Sequence, residues 1–129
     1  MSNFGFGKMV ELDFDTAIQR VTEELAKEGF GILTVIDVQA TLKAKLDVEM
    51  PGYRILGACN PALANQAISA VPEIGLLLPC NVLVREDDQG QVHVSFMDPG
   101  AVLGLVGDAR VDPLAEQVKQ KLESVLAAL

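Results

Sequence analysis

Two segments hold the side chains best suited to chemistry: "GACNP" at residues 57–61 and "LPCN" at 78–81. The chain contains two cysteines, and each stands directly before an asparagine, as Cys59-Asn60 and Cys80-Asn81. They are either one divided thiol site, whose reactive form would be the thiolate, or two unrelated structural positions. They do not make a C-x-x-C redox pair, and a disulfide between them needs a Cα separation that spacing alone does not supply. Local sequence separates their roles. Asn60-Pro61 reads as a helix start, since Asn suits the cap and Pro the first helical position. Cys59 therefore sits just outside a helix N-terminus, where free N–H groups and the positive dipole end stabilise a thiolate. The simpler alternative makes Cys59 a small apolar residue packed against Ala64 on the first turn. Cys80 shares a strand face with Val82 and Val84, which shields its thiol and keeps it inert.

Other constellations are weaker. His93, the single histidine, could serve Cys59 as a general base, or could be a polar residue on an outer sheet face opposite Arg85. One histidine and two separated cysteines fall short of a closed four-ligand zinc site. Asp13, Asp15 and the run Glu86-Asp87-Asp88 could hold a hard cation, but a helix cap and a solvated hairpin tip account for them, and no spaced Ca²⁺ loop is present. No metal and no cofactor is expected. The glycines of "GAVLGLVG" at 100–107 lack the Gly-Lys-Ser/Thr of a phosphate loop. That segment either lines a pocket, contacts a second subunit or packs closely on the sheet. Ser2, Ser69, Ser95 and Ser124 lie in no G-x-S-x-G elbow.

The elements that must position these residues follow from periodicity. Phe4, Phe6, Val10 and Leu12 alternate onto one face of a first strand. Asp13 caps a helix with Phe14, Ala17, Ile18, Val21 and Leu25 on one stripe, and Gly29 stops it. "FGILTVI" at 30–36 is apolar on both faces and reads as a central strand. Asp37 caps a shorter helix striped by Val38, Leu42 and Leu46. "YRILGAC" at 53–59 is a strand, and the helix from Asn60 runs to about Ala70 before Pro72. Segments 81–86 and 91–96 form a hairpin if Asp88-Gln89-Gly90 is a three-residue loop with Gly90 left-handed. That register sets Val84 opposite Val94, Val82 opposite Phe96, and Arg85 opposite His93. Asp98-Pro99 starts a short helical turn. Asp112-Pro113 starts the last helix, with Leu114, Val118, Leu122, Val125, Leu126 and Leu129 on one side. The order implies a single α+β domain over 1–129, a largely antiparallel sheet covered on one face by helices, with a long amphipathic helix at the end.

Composition bounds the function. The chain has 129 residues, half of them hydrophobic, and no Trp, which suits one core built from aliphatic side chains. Its formal charge is −8, from 18 acidic and 10 scattered basic residues, which argues against nucleic acid and against an anionic membrane surface. The longest apolar-leaning run, 74–84, is too short to span a bilayer. "MSNFGFGKMV" has no secretory pattern, and two cysteines without a signal read as reduced cytoplasmic thiols.

The succession "AKEGFGILTVIDVQATLKAKL", "YRILGACNPALANQAI" and "PEIGLLLPCNVLVRE", followed by "DP" and an amphipathic C-terminal helix, resembles the domain-of-unknown-function 302 family over about residues 5–127. The resemblance implies a small α+β domain and names no catalytic residue. From the residues themselves, the expectation is a homodimeric module binding a small molecule or a partner protein between segment 99–107, the helix from Asn60 and the sheet. Tyr53, Arg54, Cys59, Asn60, Cys80 and Asn81 are the candidate contacts. The alternative is a thiol-dependent enzyme or redox protein using Cys59.

Overall fold

The structure, a computed structural model, describes residues 3–129; of the serines considered above, Ser2 lies outside the described residues. The strands are β1 (Gly5–Val10), β2 (Gly31–Asp37), β3 (Tyr53–Cys59), β4 (Cys80–Glu86) and β5 (Val92–Met97). The helices are α1 (Phe14–Lys27), α2 (Val38–Leu46), α3 (Pro61–Ala70), α4 (Pro99–Leu103) and α5 (Asp112–Ala127). Tight 3-10 turns at Pro72–Leu77 and Gly104–Val106 follow α3 and α4.

Capping chemistry sets the helix starts. Asp13 Oδ1 accepts from Thr16 N at 2.7 Å, Asp37 Oδ1 from Ala40 N at 2.9 Å, and Asn60 Oδ1 from Leu63 N at 3.3 Å. Each satisfies a backbone donor that the first helical turn leaves free. Gly29 ends α1 with φ of 87°, a conformation that costs other residues steric energy.

All strand pairings are antiparallel, in the order β1-β5-β4-β3-β2. The hairpin register is the one that turn chemistry dictates: Val82 opposes Phe96, Val84 opposes Val94, and Arg85 opposes His93. Asp87 N donates to Gln91 O at 2.8 Å around the loop 88–90, and Gly90 has φ of 79°. The Asp87 side chain fastens the tip, accepting from Gln89 N and Gln91 N at 2.9 Å each and lying 2.8 Å from His93 Nε2. These hydrogen bonds, that from His93 first, hold its carboxyl below the usual carboxylate range.

The core lies between one sheet face and the helices. Ala17, Val21 and Leu25 of α1 and Leu114, Val118, Leu122 and Val125 of α5 pack there with Leu56, Val82, Val84, Val94 and Phe96. Each large aliphatic side chain so buried contributes about 1.5–3 kcal/mol. The architecture is α+β, an antiparallel sheet with helices against one face. Among the described residues no helix is long and apolar enough to cross a membrane.

Three local expectations are corrected. Segment 30–36 is not central: β2 is the sheet edge, bonded among the described residues to β3 alone. Leu33, Val35 and Ile36 are 68%, 57% and 47% exposed. Local pattern cannot distinguish a strand buried on both faces from an apolar strand left uncovered. A register shift between Ile32 and Thr34 also inserts Leu33 as an extra residue, which breaks the simple alternation. Phe4 precedes β1 and is exposed, and α2 buries none of its residues despite the stripe of Val38, Leu42 and Leu46.

Candidate functional site

The site grows from the junction where β3 runs into α3. Strand β3 ends at Cys59, and Asn60 then turns the chain into the helix with Pro61 in its first turn. Asn60 works in both directions: its Oδ1 caps α3, and its Nδ2 donates to Glu28 O at 3.4 Å, tying the helix start to the end of α1. Beside it, β4 begins at Cys80 with Ala58 as its cross-strand partner. Leu78-Pro79 leads into β4 through a cis peptide bond.

Between this end of the sheet and α3, α4 and α5 lies a cavity of about 360 Å³. Its sheet side is Ala58, Cys59 and Cys80; its helix side includes Leu63 and Ala67 of α3, Leu103 of α4, and Leu114 and Val118 of α5. The space stays open because many lining positions carry small side chains, among them Ala58, Ala64, Ala67 and Gly75. Leu33 and Ile68 also line it and are strongly exposed, so the mouth lies beside them. Thr34 and Asn60 also belong to the lining, but Asn60 engages its amide with Leu63 N and Glu28 O, and Thr34 Oγ1 lies against Gly57. An apolar space of this size favours an apolar guest over water, which finds too few hydrogen-bond partners there.

Both cysteines carry free thiols, and both residues line the cavity. Cys80 is buried, and that burial, followed by the proximity of Cys59, pushes its thiol up to about 11. Cys80 is accordingly a poor nucleophile at neutral pH. Cys59 is half-buried just ahead of the α3 cap. His93 is remote from it: Arg85 bridges His93 and Tyr53 across the sheet, at the end of β3 opposite to Cys59. Six residues of strand, roughly 20 Å, separate those ends. No general base is thereby supplied to Cys59 by His93.

The six candidate contacts divide. Cys59, Asn60 and Cys80 line the cavity. Tyr53 and Asn81 line a separate groove of about 540 Å³ on the open sheet face, with Ile55, Leu83, Arg85 and Ser95. Arg54 projects to the helix side, where its Nη2 lies 3.4 Å from Asp37 Oδ2 and its guanidinium 5.5 Å from the Phe14 ring centroid. Strand alternation separates Tyr53 from Arg54 and Cys80 from Asn81, since neighbours in sequence take opposite faces; Cys59 has the parity of Tyr53 and meets the cavity where β3 ends and turns into α3. Sequence reasoning missed Leu63, Ala67, Leu114 and Val118 as lining residues, because apolar cavity walls and apolar core carry the same pattern. Segment 99–107 does reach the cavity, through Leu103. Asp13 and Asp87 are engaged in capping and loop closure. Among the described residues no group of three or more His, Cys, Asp and Glu side chains is placed to hold a metal ion.

Residues 6–129 match the model of a family described as "Domain of unknown function DUF302". An uncharacterized protein of Aquifex aeolicus (strain VF5) is 27% identical over 93 residues, covering 62% of this chain and 65% of that protein. The chain thus spans slightly less than two thirds of that curated relative's length. The crystal structure of an uncharacterized conserved DUF302 protein from Bacillus stearothermophilus superposes with a TM-score of 0.91 at 25% identity, covering 98% of each chain.

Proposed function

The chain belongs to the DUF302 family, whose description names no reaction or ligand; from its geometry we propose a non-enzymatic, homodimeric module that binds a small apolar molecule, and from its sequence a cytoplasmic one. The observation that carries this reading is the cavity between α3, α4, α5 and the end of the sheet, about 360 Å³ in volume and walled by apolar side chains. A 150 Å³ apolar cavity accommodates benzene, so this one, open at its mouth, suits a ligand of roughly 15 non-hydrogen atoms. Cys59 and Cys80 are its polarizable wall contacts.

The test uses N-phenyl-1-naphthylamine, a neutral probe whose fluorescence rises in apolar surroundings. Wild type is expected to bind it at one site per chain. Ala67→Phe and Ala64→Phe, each of which places a ring in the cavity, should weaken binding at least tenfold while the folded spectrum by circular dichroism is retained. Equal affinity in wild type and in either folded variant would refute the placement.

A second reading, thiol chemistry at Cys59, has one observation in its favour: this half-buried residue lines the cavity and stands just before the α3 cap. It requires that Cys59→Ala abolish any turnover of a molecule bound there. The binding reading requires that Cys59→Ala retain the probe.

A further inference from the structure

The sheet has two edges, and they are built differently. Strand β1 carries exposed Lys8 in its middle, and a lysine on an edge strand discourages pairing with another chain. Strand β2 carries no charge from Gly31 to Ile36. Its outward backbone N–H and C=O groups bond to no strand among the described residues, and apolar side chains emerge from it on both faces. Leu33, Val35, Ile36 and neighbouring Ile68 expose on the order of 400 Å² together, within the size range at which a patch on a monomer is commonly functional. That is about half of the roughly 800 Å² that each partner contributes to a standard interface, before the strand backbone and its polar rim are added.

Resting on the homodimer reading above, we infer that the partner is a second copy of this chain, joined antiparallel along the free edge of β2 across a two-fold axis to give a continuous ten-stranded sheet. A backbone edge is satisfied by another extended backbone, and an edge that is apolar on both faces meets its own match in itself. Charge points to the same place. Two copies at −8 each repel wherever their acidic surfaces meet, and residues 31–36 form a stretch where they can touch without bringing like charges together. A two-fold axis makes such contacts reciprocal, so each favourable pairing on the strand occurs twice. Leu33 and Thr34 belong both to this edge and to the cavity wall. In the dimer the mouth of each cavity is therefore bordered by the partner strand.

Sedimentation equilibrium over a wide concentration range is the test, with hydrogen–deuterium exchange as the second readout. Wild type should sediment at twice 13.8 kDa, and Val35→Lys and Ile36→Lys should each raise the dimer dissociation constant at least tenfold. Both positions are solvent-exposed in the single chain, so the variants should keep the wild-type circular dichroism spectrum. In wild type, amides of β2 should gain protection as concentration rises, which needs no variant. A monomeric wild type would overturn both this interface and the homodimer reading, leaving the probe titration to judge the cavity separately. A dimer insensitive to both lysines, with β2 exchange independent of concentration, would overturn this interface alone.

Discussion

Cys80 gives a prediction whose size follows from the fold. Its thiol ionises at about 11 in the folded chain against 9.0 for the unperturbed group, chiefly because β4 carries it into the core beside Val82 and Val84. A raised folded pKa contributes stability that is fully present below the unfolded value and is lost as pH rises through the folded one. The window is thus pH 9 to 11. Two-state linkage with those values gives a loss of about 1.4 kcal/mol at pH 10 and about 2.3 kcal/mol at pH 11. Urea unfolding at pH 8, 10 and 11 measures it. The comparison is with Cys80→Ala, which leaves every other group of the chain in place. That variant is less stable at pH 8, because burial is lost, but it should lose about 2 kcal/mol less than wild type on going to pH 11. Parallel losses in the two proteins would refute the claim that burial holds this thiol protonated.

Further outcomes are expected elsewhere. A Cβ on Gly57 would collide with Thr34 Oγ1 and come within 2.9 Å of Pro79 Cγ; Gly57→Ala should cost about 1–3 kcal/mol in denaturant unfolding, with part restored when Thr34→Ala is added. Leu122 is fully buried between α5 and the sheet, and Leu122→Ala should cost about 2–5 kcal/mol by the same assay. Asp87 has a depressed folded pKa, so its stabilisation is present above the unfolded carboxylate value near 3.8 and is lost as pH falls through the folded value. Asp87→Asn should flatten the acid limb of the melting temperature against pH, and an unchanged limb would show that the tip is fastened without it.

The features legible in the sequence were those fixed by short-range chemistry. Asp13, Asp37 and Asn60 announce their helices because a cap is decided within three residues, and Gly90 announces the hairpin because the loop demands a left-handed residue. The β4–β5 register followed from combining that loop with the alternation of Val82 and Val84. The place of β2 did not, since whether Val35 is covered depends on where α1 and α3 lie, and nothing within seven residues of it records that. The cavity was half legible. The polar and thiol residues at its base, Cys59, Asn60 and Cys80, stand out by type and by their relation to a helix start. Its Leu and Ala walls do not, because an unfilled space is a property of facing elements. Arg54 shows the same limit: its ion pair with Asp37 depends on strand pairing across 17 residues.

The pairing of β1 with β5 joins Gly5 to Met97 and Val10 to Val92. Of these five strands, the first to be synthesised therefore pairs with the one synthesised last. At roughly 5–20 residues per second of synthesis, β1 waits on the order of 5–20 s before its partner exists. Meanwhile β2, β3 and β4 can assemble as a meander, with β4 as a temporary edge until β5 arrives and β1 then closes over it. A nascent chain stalled before residue 92 would hold Phe6 and Val10 with no strand to receive them.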